Sequence, residues 1–175
     1  MGRKFSVFIC HVREQRDVAE LIFQKLGDSD IEVLVDRTQI EDGDRPDDSL
    51  KDLVERADLF VFLLTKESFD PLRYVHTEVQ WRKEAHPIAR KENLLVAEWP
   101  DVERGKVRLD PYLEALVKLE VKGHYAAHIA QAIVDRFKNR GTPTRSKSSN
   151  PAIDWATRNR WLLIAGLAAS GARHP

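Results

Sequence analysis

The sequence predicts an α/β fold of the flavodoxin-like kind, a doubly wound parallel sheet of five strands with helices on both faces. Two observations carry that expectation. Apolar runs rich in β-branched and aromatic residues alternate in order with segments of helical period, the pattern of parallel strands joined by right-handed crossovers. The run DLFVFLLT (Asp58 to Thr65) is apolar rather than alternating, as a strand covered on both faces must be.

Taken in order, KFSVFIC (Lys4 to Cys10) is the first strand. RDVAELIFQKL (Arg16 to Leu26) follows as a helix, with Val18, Leu21, Ile22 and Leu26 at helical spacing and Gly27 as its stop. IEVLVD (Ile31 to Asp36) is the second strand, and RTQIEDGDRPDD (Arg37 to Asp48) has the Gly, Pro and Asp content of a loop. Ser49 is a candidate N-cap for a helix over LKDLVERA, which leads into the third strand. The stretch from Ser68 to His86 reads as a third helix, and NLLVAEW (Asn93 to Trp99) as the fourth strand. ALVKLEV (Ala115 to Val121) is a weaker fifth strand, and YAAHIAQAIVDRFKN (Tyr125 to Asn139) an amphipathic closing helix.

The folded domain is expected over residues 1–139, a basic Ser- and Pro-rich flexible linker over 140–151, and an apolar tail helix over 152–175. The uncharged run from Trp161 to Ala172 falls short of the roughly 20 residues that span a bilayer. Arg158, Arg160 and Trp161 would flank a truncated span, so the tail is read either as a helix packed on protein or as a membrane-proximal segment.

Lys plus Arg and Asp plus Glu balance at 28 each, which gives no electrostatic case for direct nucleic-acid binding. The single cysteine, Cys10, excludes an intramolecular disulfide and a multi-thiolate metal site, and suits a reducing, cytoplasmic setting. No metal site is expected.

In a doubly wound sheet, ligands bind beyond the carboxyl ends of the strands where the strand order reverses, here between the first and third. That directs attention to Cys10, His11, Val12 and Arg13, to Thr65 through Ser68, and to the helix carrying Glu78. A phosphate-receiver domain would need acidic residues where Cys10-His11 and Leu64-Thr65 stand. A nucleotide phosphate loop would need a Gly-rich turn, and neither GxGxxG nor GxxxxGK[ST] occurs.

The residues do resemble the TIR (Toll/interleukin-1 receptor) domain family in its bacterial form. FSVFICHVREQRDVAELIFQKL resembles the family's first box, and VLVDRTQIEDGD its second strand and BB loop, with Asp36, Ile40, Gly43 and Asp44 on that loop. RADLFVFLLTKESF is similar to the third strand and its exit, and YVHTEV to the Trp-x-x-x-Glu motif. The resemblance runs from about residue 4 to 138 and rests on four matches in the right order. Cys10 stands for the usual Ser and Tyr74 for the usual Trp. Asp42 takes the place of Pro or Ala, and Pro46 the place where bacterial members commonly carry Trp.

The resemblance implies one of two functions. Some TIR domains hydrolyse or cyclise NAD+ at the nicotinamide N-glycosidic bond, in bacterial antiphage defence or toxicity. Others are adaptors or mimics that act through TIR–TIR contacts at the BB loop. For the enzyme, the resemblance implies Glu78 as the catalytic carboxylate, NAD+ as substrate with no cofactor, and activation by homo-oligomerisation. His11, Arg13, Ser68 and Tyr74 would then bind substrate, Arg13 holding pyrophosphate and Tyr74 stacking on nicotinamide. Three of these have a plainer alternative: a packed histidine, a surface arginine, and for Ser68 a cap on the following segment. Glu78 and Arg82 are spaced for an i,i+4 ion pair on a solvated helix, the ordinary alternative for that carboxylate. Cys10 is read as a small core residue. His76, Trp81, His124 and His128 show no ligand-like clustering and are expected on helix surfaces or in the core.

Overall fold

The structure is a computed structural model that describes residues 4–35, 48–103 and 108–140. The BB-loop positions Asp36, Ile40, Gly43 and Asp44, together with residues 141–175 of the linker and tail, lie outside the described residues.

Five strands form one parallel sheet: Phe5–Cys10 (β1), Ile31–Val35 (β2), Leu59–Leu64 (β3), Leu94–Glu98 (β4) and Leu119–Glu120 (β5). Their spatial order is β2-β1-β3-β4-β5, the flavodoxin-like order expected from the alternation of strands and helices. β1 lies against both β2 and β3, with Val7 beside Val33 and Leu59, and Cys10 beside Phe62. β3 continues the ladder to β4, ending at Leu64 beside Glu98.

Side chains alternate across each strand, and this sorts the core into two layers. Val7, Ile9, Val61, Leu63, Leu95 and Ala97 pack with Ala19, Ile22 and Leu26 of α1 (Arg16–Leu26) and Ile129, Ala130 and Ile133 of α5 (Tyr125–Asn139). Phe8, Cys10, Phe60, Phe62, Leu64 and Val96 face the other way. There they meet α2 (Asp48–Arg56), α3 (Val75–Ala85) and the short α4 (Pro111–Glu114). Because both faces are covered, β1 and β3 are buried along their whole length.

Four boundaries differ from expectation. α2 is described from Asp48, so Ser49 lies inside its first turn rather than before it. Leu21 is exposed, and α1 instead turns Ala19 inward with Ile22 and Leu26. The helix read from Ser68 onward is interrupted: Lys66–Phe69 is a separate 3-10 turn and α3 begins only at Val75. Pro71 forces Asp70 out of the helical region (φ −66°, ψ 116°), and the Asp70 carboxylate then accepts a 3.0 Å hydrogen bond from the Leu72 amide. The expected fifth strand shrinks to Leu119–Glu120, because Asp110 and Pro111 start α4 just before it. Asp110 Oδ1 caps that helix at 2.7 Å from the Tyr112 amide, and Val117 is left on the surface.

Candidate active site

The chain leaves β1 for β2 with α1 on one face, then returns across to β3 with α2 on the opposite face. The crevice this opens lies at the carboxyl ends of β1 and β3. Two segments leave these strand ends, His11 to Gln15 after β1 and Thr65 to Tyr74 after β3, and the second runs into the first turn of α3.

After β1, Cys10 is fully buried in the core layer facing α2 and α3. His11 is half-buried and its Nδ1 lies 3.2 Å from the Ile9 carbonyl, a contact in which Nδ1–H donates. Arg13 opens a 3-10 turn, Arg13–Gln15, with its side chain in solvent. In the same turn Glu14 reaches across the crevice mouth and accepts a 2.6 Å ion pair from Arg73 Nη2. Arg73 also lies 3.6 Å from Asp70. Nothing in the local sequence pattern signals this clasp, because its partners are far apart in the chain.

After β3, Thr65 and Ser68 build a closed turn. The Thr65 amide donates to Ser68 Oγ at 3.1 Å, and Ser68 Oγ donates to the Leu63 carbonyl at 3.2 Å. Both residues are buried, so the Ser68 hydroxyl is committed to shaping this loop. Glu67 in the same turn has its carboxyl held below the usual range. Burial alone would raise it, and hydrogen bonds from its own backbone and from Thr65, with the nearby Lys66 charge, outweigh that effect.

Tyr74 is the N-cap residue of α3, and its carbonyl accepts the Thr77 amide at 2.9 Å and the Glu78 amide at 3.4 Å. Its ring meets Trp81 edge-on, centroids 5.8 Å apart at 75°, so one aromatic face is packed within α3 itself. His76 bonds the Asp70 carbonyl through Nε2 at 2.9 Å and helps fix the helix start. Trp81 packs on the α3 side of the core, and His128 is exposed.

Glu78 is in the first turn of α3 and only 3% exposed. The reading of Glu78 and Arg82 as a solvated i,i+4 pair is therefore corrected: both side chains are inside. Arg82 is fully buried, and its guanidinium donates to carbonyls instead, Ala57 O at 2.7 Å, Asn93 O at 2.9 Å and Val54 O at 3.2 Å. Burial pulls its pKa down, against the opposing influence of Tyr112 and the Asp58 charge. The Tyr112 hydroxyl feels the guanidinium charge, but its geometry falls short of a hydrogen bond; burial raises the phenol's pKa while Arg82 opposes that rise.

Glu98, at the end of β4, is a second buried carboxylate at this edge of the sheet, 7% exposed. Alternation along β4 puts it on the same side of the sheet as Val96 and hence as α3. Its one sequence signal is an acid closing the apolar strand LLVAE. Among the described residues no helix is long and apolar enough to cross a membrane. Nor does any group of three or more His, Cys, Asp or Glu among them come together to hold a metal ion.

Among solved structures, the chain is similar to the TIR domains of the activated Roq1 resistosome directly recognising the pathogen effector XopQ. That match has 14% identity and a TM-score of 0.44, and covers 78% of this chain and 75% of the other. It is similar to a prokaryotic SEFIR domain at 16% identity and a TM-score of 0.48, covering 77% and 88% of the two chains. It is also similar to the CMP N-glycosidase BcmB of Clostridium botulinum at 17% identity and a TM-score of 0.45, covering 75% and 98%. No curated protein matches the chain. A family model described as TIR domain matches residues 7–133, which is most of the chain and nearly all of its sheet, so this protein belongs to the TIR domain family.

Proposed function

We propose that this TIR domain cleaves the bond between nicotinamide and ribose in NAD+, with Glu78 as the catalytic carboxylate. The observation that carries the reading is a carboxylate 3% exposed in the first turn of α3, beside the crevice at the ends of β1 and β3. A glutamate placed for solubility would project outward. This one is held inside the fold, where a carboxylate acts on a developing cation more strongly than it would in water.

The chemistry asks little more of the protein. The C1′–N1 bond breaks and its electron pair leaves with nicotinamide, which departs as a neutral base and needs no general acid. Positive charge passes to the ribose C1′ and ring oxygen, where an adjacent carboxylate stabilises it. Water adding at C1′ and losing its proton gives ADP-ribose; an adenine nitrogen adding instead gives the cyclic product. His11 and Arg13 follow the end of β1, and Arg13, which is exposed, would take a pyrophosphate. Ser68 serves by holding the β3 exit loop, and Tyr74 by walling the helix start with Trp81.

NAD+ is a substrate in this scheme and no cofactor is called for. We further propose that activity depends on self-association with other TIR domains through the BB loop, in a cytoplasmic defence or toxicity pathway. The tail is the segment through which a membrane would be met. The test is to incubate concentrated protein with NAD+ and follow nicotinamide by chromatography. Release is expected. A folded protein that releases none at high concentration would favour an adaptor that acts by TIR–TIR contact alone.

A further inference from the structure

We infer that Arg82 is the positioning residue for Glu78: its buried guanidinium fixes the roll of α3 about its axis, and so the place of the carboxylate one turn away. The inference rests on the reading of Glu78 as catalytic, and goes beyond it by naming what sets the geometry.

The need for such a device follows from the composition of α3. Its inward residues are Val75, Glu78, Val79 and Arg82, so half of the face it buries is charged. An apolar stripe normally sets a helix's rotation against a sheet, and here its fully buried part is only two valines, with Trp81 partly buried beside them. Hydrophobic burial alone would tolerate a range of rolls. With side chains about 5 Å from the helix axis, a roll of roughly 20° moves a carboxylate about 2 Å. That exceeds the tolerance of about 0.5 Å for a productive site.

Arg82 removes this freedom. Its Nη1 reaches Val54 O (3.2 Å) and Ala57 O (2.7 Å), with Glu55 O more distant at 3.5 Å. Its Nη2 reaches Asn93 O at 2.9 Å. These carbonyls belong to the last turn of α2, the link into β3 and the residue before β4, so one planar group ties α3 to three segments. The α2 carbonyls form the negative end of that helix, and the Phe60 ring lies 5.9 Å from the guanidinium carbon; both favour a cation. Among the described residues no carboxylate touches it. A buried cation without an ion-pair partner is a poor way to add stability, since an apolar side chain of similar volume would fill the space without desolvation. What an apolar side chain cannot supply is directional bonds to fixed acceptors. Lys83 to Asp110 (3.3 Å) and His86 to the Glu55 carbonyl (2.8 Å) hold the far end of α3, but from partly exposed positions and further from Glu78.

The experiment compares Arg82→Met and Arg82→Lys with the parent protein, measuring nicotinamide-release kinetics, unfolding, and amide hydrogen exchange across α3. The inference predicts that Arg82→Met lowers kcat at least about 10-fold with KM for NAD+ changed less than about 3-fold. It also predicts faster exchange at Glu78 to Lys83 than the change in global stability accounts for. Arg82→Lys, which keeps a donor cation but not the planar fork, is expected to recover part of both. Parental kcat in folded Arg82→Met, or a loss of activity matched by the unfolded fraction, would overturn the inference. If Arg82→Met does not fold, the same criteria apply to Arg82→Lys. If the parent protein releases no nicotinamide, the catalytic reading fails by itself, and hydrogen exchange decides whether Arg82 pins α3: unchanged protection in a folded variant overturns that too.

Discussion

Glu78 and Arg82 sit four residues apart, and local pattern alone makes them an exposed ion pair. The fold turns both inward, and Arg82 onto backbone carbonyls. Spacing says which residues share a helix face but not whether a charged face meets water, so Arg82's role was not legible in the sequence. Glu78 stood out as a candidate only because the family motif and the topology pointed to the same helix. Two further residues make sharp predictions. Ser68→Ala removes a hydroxyl that bonds Thr65 N and Leu63 O inside the protein. It should cost about 1–3 kcal/mol in urea denaturation, with the slope unchanged. Tyr112→Phe removes a buried hydroxyl that lacks a hydrogen bond, and should leave stability at neutral pH equal to the parent's or slightly higher. The pH dependence has a definite sign. Because burial raises the folded phenol's pKa, this group's contribution is whole below about pH 10 and declines as pH rises through the raised value. Tyr112→Phe should therefore flatten the alkaline limb of a stability–pH curve.

At the scale of elements, the strands and long helices follow from composition, and the helix α5 falls over Tyr125–Asn139, the span its periodicity predicts. Two of the misread segments share a cause, which is local turn chemistry overriding periodicity. Asp70-Pro71 delays α3, and Asp110-Pro111 starts α4, a short helix just before the expected fifth strand. The Pro71 turn has a structural consequence, since it precedes Arg73, which meets Glu14 of the segment after β1. That pair is partly exposed, so Glu14→Ala or Arg73→Ala should each change stability by less than about 1 kcal/mol, an effect that high salt should remove. An effect several-fold larger, persisting in salt, would mean that the clasp holds the loops together rather than merely joining them.

For the whole molecule, the doubly wound topology was legible because only alternating buried strands and helices satisfy both faces of a parallel sheet. That topology places the candidate site at the reversal between β1 and β3, and membership of the TIR family adds an expectation of assembly. Nicotinamide release per molecule is accordingly expected to rise with protein concentration; a constant specific activity over a 100-fold range would contradict activation by self-association. The central claim rests on one carboxylate and is tested most directly by Glu78→Gln, with circular dichroism and unfolding used to establish that the variant is folded. At a protein concentration where the parent releases nicotinamide from NAD+, the account predicts that folded Glu78→Gln loses at least about 100-fold in rate. Release by folded Glu78→Gln at the parental rate would contradict it.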